Sequence, residues 1–261
     1  MPRTRLFLIA LFAAAAAHAA EVPESVVVRV PVVGSVIGIG GVRWKTDVDL
    51  YNDSARELTV RLSLPATAAP DFLFTIPPGA TQRFTDIAAE AFSTDSVLSP
   101  LEIETFGSKR PIRVSATVYG VRGTDVFTPE PIPVDTSSGG YYPQRALHGL
   151  SFSDTFRTNI GLANLGEHET TFILALQRLA GRNLALTRLT LQANSLIHAS
   201  IQSLFPLITK GDDFTVVVET GARDTYVYAS VIDNTTNEAR FIQPAVGAPT
   251  LTPQELATRK P

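Results

Sequence analysis

The amino-acid sequence predicts an all-β protein that consists of two tandem β-sandwich domains, each with one short helical turn. Three observations support this fold class: a long internal repeat, alternation of apolar and polar residues along short segments, and turn-forming residues between those segments. Such alternation is typical of strands that bury one face against a second sheet.

The internal repeat is the strongest of the three observations. The stretch WKTDVDLYN, which begins at Trp44, returns as FRTNIGLAN at Phe156, 112 residues later. The alignment runs without a gap over residues 31–64 and 143–176, and its identical pairs include Thr46/Thr158, Leu50/Leu162, Asn52/Asn164 and Glu57/Glu169. This period is too long for a solenoid, whose repeats span about 20–50 residues, and it matches a whole small domain. The chain is therefore expected to be one β-domain in two copies.

Residues of the repeated stretch alternate in character along the chain. One set in the first copy is Trp44, Thr46, Val48 and Leu50, and the other is Lys45, Asp47, Asp49 and Tyr51. We expect the first set to face the core, with Trp44 and its counterpart Phe156 both buried, and the polar set to face solvent. Asn52 and Asn164 follow at the strand ends, where asparagine closes turns by bonding its side chain to the backbone.

A short helical turn is expected once in each copy, in TDIAAEAF (85–92) and in SIQSLF (200–205). Each begins with a hydroxyl or carboxylate residue, which caps a helix by accepting a backbone hydrogen bond. Just upstream, Gly79 in the first copy corresponds to Asn194 in the second. Because Gly adopts positive φ freely and Asn tolerates it, both positions are expected to be left-handed.

The boundary between the copies is placed in TPEPIPVDTSSGGYYP, residues 128–143. Its prolines exclude a central strand, and its Ser- and Gly-rich part is typical of a flexible linker. The chain then divides into a signal peptide at 1–19, a first β-sandwich at 20–134, a second at 135–250 and a polar tail at 251–261.

The N-terminus has the features of a cleaved secretory signal peptide. Arg3 and Arg5 precede the apolar run LFLIALFAAAAA, and the small-residue pattern Ala17-His18-Ala19 follows. A membrane span needs about 20 apolar residues, so no transmembrane segment is expected after cleavage. The chain has no cysteine, and therefore neither a disulfide nor a lipid-modified cysteine at its mature N-terminus. These features favour a secreted or periplasmic bacterial protein.

The charge balance disfavours nucleic acid as a partner. The formal net charge is −3, and it becomes −5 when Arg3 and Arg5 leave with the signal peptide. A mildly acidic surface repels phosphate backbones, and the sequence has no basic cluster with interleaved aromatic residues.

The sequence lacks the residue constellations that catalysis requires. His148, His168 and His198 have no metal-ligand spacing, and H-E-x-x-H, G-x-S-x-G and phosphate-binding glycine loops are absent. We therefore predict a non-enzymatic protein with no catalytic residue, no metal ligand and no cofactor.

A weak calcium site near Asp47 and Asp49 stays open at this point. Both carboxylates lie on the same face of the expected strand, but the second copy has Asn159 and Gly161 at these positions. Calcium sites typically draw alternating oxygen ligands from a glycine-containing loop, which this segment does not provide. A solvated polar face is the simpler interpretation.

The copies diverge most just before the repeated stretch, in VVGSVIGIGGVRW, which begins at Val32. Four aliphatic residues stand there among glycines with almost no polar cover: Val36, Ile37, Ile39 and Val42. Glycines weaken a strand and let another backbone approach, and aliphatic residues need burial. One interpretation is that the segment packs against its own or the neighbouring domain, as most apolar residues do. The other is an exposed loop or sheet edge that binds a protein or another surface component.

The stretches RWKTDVDLYN, FRTNIGLANLG and YASVIDNTTNE resemble exported bacterial proteins with tandem immunoglobulin-like β-sandwich repeats, a family without an established activity. The resemblance covers most of the mature chain and implies immunoglobulin-like sandwiches in both copies. Periplasmic pilus chaperones also consist of two such domains, with a basic cleft and a long hairpin that donates a strand. The candidate strand here, TDVFTPEPIPV, is interrupted by three prolines, which forfeit ladder hydrogen bonds.

These features predict an exported, non-enzymatic binding or structural protein of the bacterial envelope, with a ligand that the sequence does not identify. Two alternatives remain. One is a periplasmic assembly chaperone for surface subunits, and the other is a hydrolase or glycan-active site at the domain junction.

Overall fold

The computed structural model describes residues 24–134, 144–178 and 182–246, and most of their regular structure is β-strand. The first half of the chain runs through β1 (Ser25–Ile37), a 3-10 turn (Ile39–Gly41), β2 (Arg43–Tyr51), β3 (Leu58–Ser63), β4 (Phe72–Ile76), β5 (Thr81–Phe84), α1 (Ile87–Phe92), β6 (Val97–Phe106), β7 (Arg113–Arg122), β8 (Asp125–Val126) and β9 (Glu130–Ile132). The second half runs through β10 (Gln144–Phe152), β11 (Phe156–Asn164), β12 (Thr170–Arg178), β13 (Arg182–Leu191), β14 (Ser195–Ser200), α2 (Ile201–Leu204), β15 (Gly211–Thr220), β16 (Thr225–Asp233), β17 (Ala239–Ile242) and β18 (Ala245–Val246).

The strand order is the same in the two halves. One sheet has the order β4-β3-β6-β1 in the first half and β13-β12-β15-β10 in the second. The facing sheet has the order β5-β2-β7-β9 in the first half and β14-β11-β16-β17 in the second. The all-β sandwich that the sequence predicts is confirmed, and one strand order used twice is what duplication of a single domain produces.

In the first half, β1 belongs to both sheets. It pairs with β6 along most of its length, and after a register shift between Val30 and Val33 its end pairs with β2 through Val36 and Ile37. A bulge of this kind bends a strand and lets it cross from one sheet to the other.

The limits of the domains stay predictions. The segment between the halves, residues 135–143, lies outside the described residues, and so do the signal peptide at 1–19 and the polar tail at 251–261.

Thr46 and Thr158, one of the repeated pairs, tie two strands together in the same way in both halves. The buried hydroxyl of Thr46 accepts a hydrogen bond from the Gly34 N–H at 3.0 Å and faces the Gly34 carbonyl at 3.4 Å. Thr158 makes the same two contacts with Ser151, at 3.1 and 2.7 Å. Each hydroxyl thus satisfies backbone groups of the neighbouring strand, which a buried polar group must do to be tolerated.

Asn52, directly after β2, holds the loops at one end of the first sandwich. Its Nδ2 donates to the carbonyls of Arg56 at 2.7 Å and Ile76 at 2.8 Å, and its Oδ1 accepts from the Ser54 N–H at 2.9 Å. The side chain has no exposed surface. One buried amide therefore satisfies backbone groups of two separate loops.

Asn164 at the end of β11 makes the equivalent hydrogen bonds in the second half. Its Nδ2 donates to the carbonyls of His168 at 2.8 Å and Leu191 at 3.2 Å, and its Oδ1 accepts from the Gly166 N–H at 3.1 Å. It is also fully buried. The turn-closing role that the sequence assigns to both asparagines is confirmed.

Trp44 and Phe156 correct the sequence-based expectation, because both are half-buried rather than buried. Trp44 is the second residue of β2 and Phe156 is the first residue of β11, so both lie near the start of their strands. The next core-facing residues along β2, Thr46, Val48 and Leu50, are 0–2% exposed. The alternation therefore identifies the correct face, but it does not show where along the strand the core begins.

Both expected helical turns are present, but only one is capped as expected. In α2 the Ser200 hydroxyl accepts from the Ser203 N–H at 3.0 Å. In α1 the expected cap is absent. Asp86 is left-handed, with φ of 64°, and its carboxylate contacts Lys45 at 3.2 Å and Ser35 at 3.3 Å instead. A buried carboxylate gains more from an ammonium group than from one backbone N–H.

The two left-handed positions expected upstream of the helical turns are confirmed. Gly79 has φ of 70° and Asn194 has φ of 51°. Their backbone N–H groups donate to the carbonyls of Asn52 and Gly166.

Replacing either repeated asparagine with alanine is expected to lower the free energy of unfolding by about 3 kcal/mol, because two or more buried backbone groups lose their partners. The measurement is denaturant unfolding of Asn52→Ala and Asn164→Ala. The matched control is Asn159→Ala, since Asn159 is half-buried and makes no side-chain hydrogen bond to the described residues. It should change stability by less than about 0.5 kcal/mol. An equal decrease in the free energy of unfolding for all three variants would show that the buried hydrogen bonds of Asn52 and Asn164 are not its cause.

Candidate functional site

A cleft of about 330 Å³ lies between the two halves of the chain. Its lining from the first half comes mainly from the end of β1, the turn that follows and the neighbouring strands: Val32, Gly34, Val36, Ile37, Gly38, Ile39, Trp44, Thr46, Leu98, Val118 and Glu130. Its lining from the second half comes from β11, β14, β16 and β17: Arg157, Asn159, His198, Tyr228, Ser230, Ile232, Ala239 and Phe241. Most of these residues are apolar, and the polar ones belong mainly to the second half.

Three of the four candidate partner-binding residues border this cleft. Ile37 and Ile39 are 68% and 71% exposed, and Val36 is half-buried. The expectation that Val42 takes part in binding is wrong, because Val42 has no exposed surface and packs within the first half. Its side chain and the ring of Phe127 leave no room for a Cβ at Gly120. One end of the segment is therefore buried within the first half, while its apolar turn is exposed at the mouth of the cleft.

The turn keeps Trp44 in the wall of the cleft. A Cβ built on Gly38 would lie 2.7 Å from the indole Nε1 of Trp44, so this close approach requires glycine. Gly40 and Gly41 both have positive φ, which lets the chain reverse between β1 and β2. The glycines of this segment thus serve the turn and the approach of the indole.

Tyr228 on β16 is the central side chain of the opposite wall. Its ring stacks on Phe241 with centroids 5.0 Å apart and planes 9° apart, and its hydroxyl lies 2.9 Å from Nδ1 of His198. It is 2% exposed and packs with the core of the first half. Tyr228 therefore connects the second half to the first.

Gly161 makes room for this tyrosine. A Cβ at Gly161 would lie 2.0 Å from the ring of Tyr228, far inside the closest approach of real atoms. Strand pairing aligns Gly161 with His198 on one side and Tyr228 on the other. The ring thus occupies the space that a side chain at Gly161 would need.

The first half carries a different set of residues in the equivalent row. Asp49 there pairs with Arg83 on one side and Ser115 on the other. The carboxylate of Asp49 binds the Arg83 guanidinium at 2.7 and 3.0 Å on the exposed face. The expected solvated polar face is present in the first copy, whereas in the second copy Gly161 is buried. No sequence periodicity predicts this difference, because both strands alternate in the same way.

Burial sets the ionisation of the His198–Tyr228 pair. A large part of the His198 surface is open to the cleft, but the ring lies deep among protein atoms, and this desolvation lowers its pKa to about 4. Burial also raises the pKa of the Tyr228 phenol above its usual value. Both side chains are therefore neutral at neutral pH.

Arg157 on β11 brings a positive charge to the same wall. Its guanidinium donates to the side-chain oxygens of Asn234 at 2.8 Å and Asn237 at 3.2 Å. Burial lowers the pKa of Arg157, which the charge of Asp233 partly offsets. No carboxylate oxygen of the described residues lies within ion-pair distance of it.

Polar contacts at the rim also connect the halves. Arg29 of β1 lies 3.8 Å from the carboxylate of Asp224, and the Thr128 hydroxyl lies 3.5 Å from Glu238. These contacts are long and at least partly exposed, so each contributes little to stability. The packing of Tyr228 contributes more to the arrangement that forms the cleft.

The structure gives no support to calcium binding near Asp47 and Asp49. Asp49 is occupied by Arg83, and Asp47 accepts the backbone N–H of Asp86 at 3.0 Å. Across residues 24–134, 144–178 and 182–246, no three metal-ligating side chains come together. In the same ranges, no helix has the length and apolar composition to cross a bilayer.

Comparison with known proteins identifies no family for this chain. No protein-family model and no curated protein matches it. Among solved structures, Thermotoga maritima 1070 is 10% identical over 42% of this chain and 94% of that chain, with a TM-score of 0.34. A calcium binding mutant of Bacteroides uniformis beta-glucuronidase 2 is 11% identical over 81% of this chain and 27% of that chain, with a TM-score of 0.17. Likenesses this weak support no inference about fold or function.

Gly161→Ala is expected to lower the free energy of unfolding by about 2–3 kcal/mol, because the added methyl group collides with the Tyr228 ring. The matched control is Gly166→Ala, whose Cβ would meet its nearest atom at 3.4 Å, an ordinary contact distance. In a Tyr228→Ala background the same glycine substitution should cost much less, since the colliding ring is gone. An undiminished cost in that background, measured by denaturant unfolding, would show that the collision is not its cause.

Because of His198, the free energy of unfolding is expected to decrease as the pH is lowered from 6.5 to about 4. The folded pKa lies below the unfolded value of about 6.5, so the unfolded state binds the proton first as pH falls. His198→Gln removes this contribution, and its melting temperature should fall less steeply in that window. Above pH 7 the two melting curves should run parallel. Parallel curves down to pH 4 would contradict the low pKa.

Proposed function

We propose that the protein is an exported, non-enzymatic binding protein of the bacterial envelope whose cleft between the two halves takes up a small, mainly apolar molecule. The observation that carries this proposal is the cleft itself. Its volume of about 330 Å³ falls within the range of about 300–1,000 Å³ that is usual for ligand sites. Its apolar walls and few convergent polar groups are also typical of such sites.

The chemistry of the cleft favours binding over catalysis. His198 is the lining residue best suited to act as a general base, but its low pKa makes it a weak one, and its Nδ1 already contacts the Tyr228 hydroxyl. Ser230 lies on the same wall, yet the described structure has no hydrogen bond between it and His198. An activated nucleophile requires such a bond to its base.

The lining also bears on the two alternative functions. Among the described lining residues Arg157 is the cation and Glu130 the anion, so the cleft has no excess of positive charge. A strand-capturing chaperone with a basic cleft is therefore less favoured. A glycan offers many hydroxyl groups that need hydrogen bonds, and a mainly aliphatic wall formed by residues such as Val36 and Leu98 supplies few.

The test uses the fluorescent apolar probe 1-N-phenylnaphthylamine. Trp44 is the single tryptophan of the chain and lines the cleft, so energy transfer from Trp44 reports a bound probe, and the variants that follow locate it. We expect saturable transfer in the wild-type protein. Ser230→Phe should weaken binding at least tenfold, because the added ring fills the cleft.

The matched control for this variant is Ser115→Phe, the same substitution on an exposed strand position of the first half. It should leave probe affinity unchanged. Denaturant unfolding of both variants must show stability changes below about 1 kcal/mol, so that the loss of binding is not a loss of folding. Absence of transfer in the wild-type protein, or equal affinities in all three proteins, refutes binding in the cleft.

A further inference from the structure

We infer that the ligand of the cleft is an apolar molecule with one carboxylate, held at Arg157. This inference rests on the proposed function, since it names the chemical class that the same cleft would select. It follows from the positive charge of Arg157, which stands on an otherwise neutral wall of the cleft that the second half forms.

Within residues 24–134, 144–178 and 182–246, no carboxylate lies at ion-pair distance from Arg157. Its Nη1 and Nη2 groups are held by the neutral side-chain oxygens of Asn234 and Asn237, which orient the guanidinium without neutralising it. Asp233 acts on it only over a longer distance, and the Asp233 carboxylate is bound by the backbone N–H groups of Thr235 and Thr236 at 2.7 and 3.0 Å. A half-buried cation that is hydrogen-bonded but not neutralised gains most from a bound anion.

The polar groups beside Arg157 extend the same site. Asn159 and Ser230 are paired across β11 and β16, and both line the cleft. Neither side chain makes a hydrogen bond within the described structure. Together with Arg157 they form a polar strip that can donate to carboxylate oxygens.

The remainder of the cleft suits the apolar part of such a molecule. The first half presents Val32, Val36, Leu98 and Trp44 opposite this strip. His198 and Tyr228 are neutral at neutral pH, so they add no competing charge. A planar guanidinium prefers a carboxylate, which it can bind through two parallel hydrogen bonds.

Glu130 on β9 is the residue that argues against an anion, because it also lines the cleft. It lies beyond ion-pair distance from Arg157, so the two charges do not cancel directly. If Glu130 dominated, the cleft would select an amine instead. The test therefore compares an acid, an alcohol and an amine with the same apolar chain.

The experiment measures displacement of 1-N-phenylnaphthylamine by octanoate, octanol and octylamine at pH 7.5, read through energy transfer from Trp44. In the wild-type protein octanoate should bind about tenfold more tightly than octanol. Arg157→Gln should remove this preference and leave octanol affinity within about twofold. Arg157→Lys should retain part of it, because the charge stays while the planar fork is lost.

The matched control is Arg83→Gln, which removes an exposed arginine away from the cleft and should leave all three affinities unchanged. Thermal unfolding of each variant excludes a folding defect. Equal affinities for octanoate and octanol in the wild-type protein, tighter octylamine binding, or a carboxylate preference that survives Arg157→Gln would overturn the inference. The proposed function stands if octanol still displaces the probe, and it fails if the wild-type protein does not bind the probe or if Ser230→Phe binds it as tightly as the wild-type protein.

Discussion

The contact between Gly161 and Tyr228 is the interaction on which the arrangement of the two halves depends. A strand residue without a side chain lets a large aromatic ring approach β11 closely, at a place where any Cβ would collide with it. From that position the ring reaches the core of the first half, stacks on Phe241 and holds His198 by a hydrogen bond. The outer face of a sandwich sheet, which solvent covers in the first half, thereby becomes one wall of a cleft.

The two halves share their interior contacts and differ on one outer face. The residues inside each sandwich kept their roles: the buried threonine that joins neighbouring strands and the buried asparagine that closes the loops make equivalent contacts in both copies. The outer row differs between the copies, with Asp49 and its arginine partner in the first and Gly161 with its aromatic neighbours in the second. Interior residues resist change because a buried amide or hydroxyl that loses its partner is costly. An outer face has no such constraint, and a site can develop there.

The electrostatics of the cleft follow from the same packing. Desolvation keeps His198 and Tyr228 neutral, so the wall that they form contributes shape and an apolar surface more than charge. Arg157 stands apart, because its neighbours are neutral amides and its charge is not balanced within the described part of the chain. A small number of oriented polar groups on an apolar background is the usual basis of selectivity for a small ligand.

The sequence by itself determined the all-β class, the strand alternation, the turn-closing asparagines and the left-handed positions Gly79 and Asn194. These are local properties, since side-chain alternation follows from strand geometry and positive φ follows from backbone sterics. Only the tertiary structure decided which outer face would be covered, that Val42 is buried while Ile37 and Ile39 are exposed, and that Asp86 bonds Lys45 instead of capping α1. Periodicity shows which residues share a face of a strand. It cannot show what another part of the chain places against that face, because that depends on contacts between residues far apart in sequence.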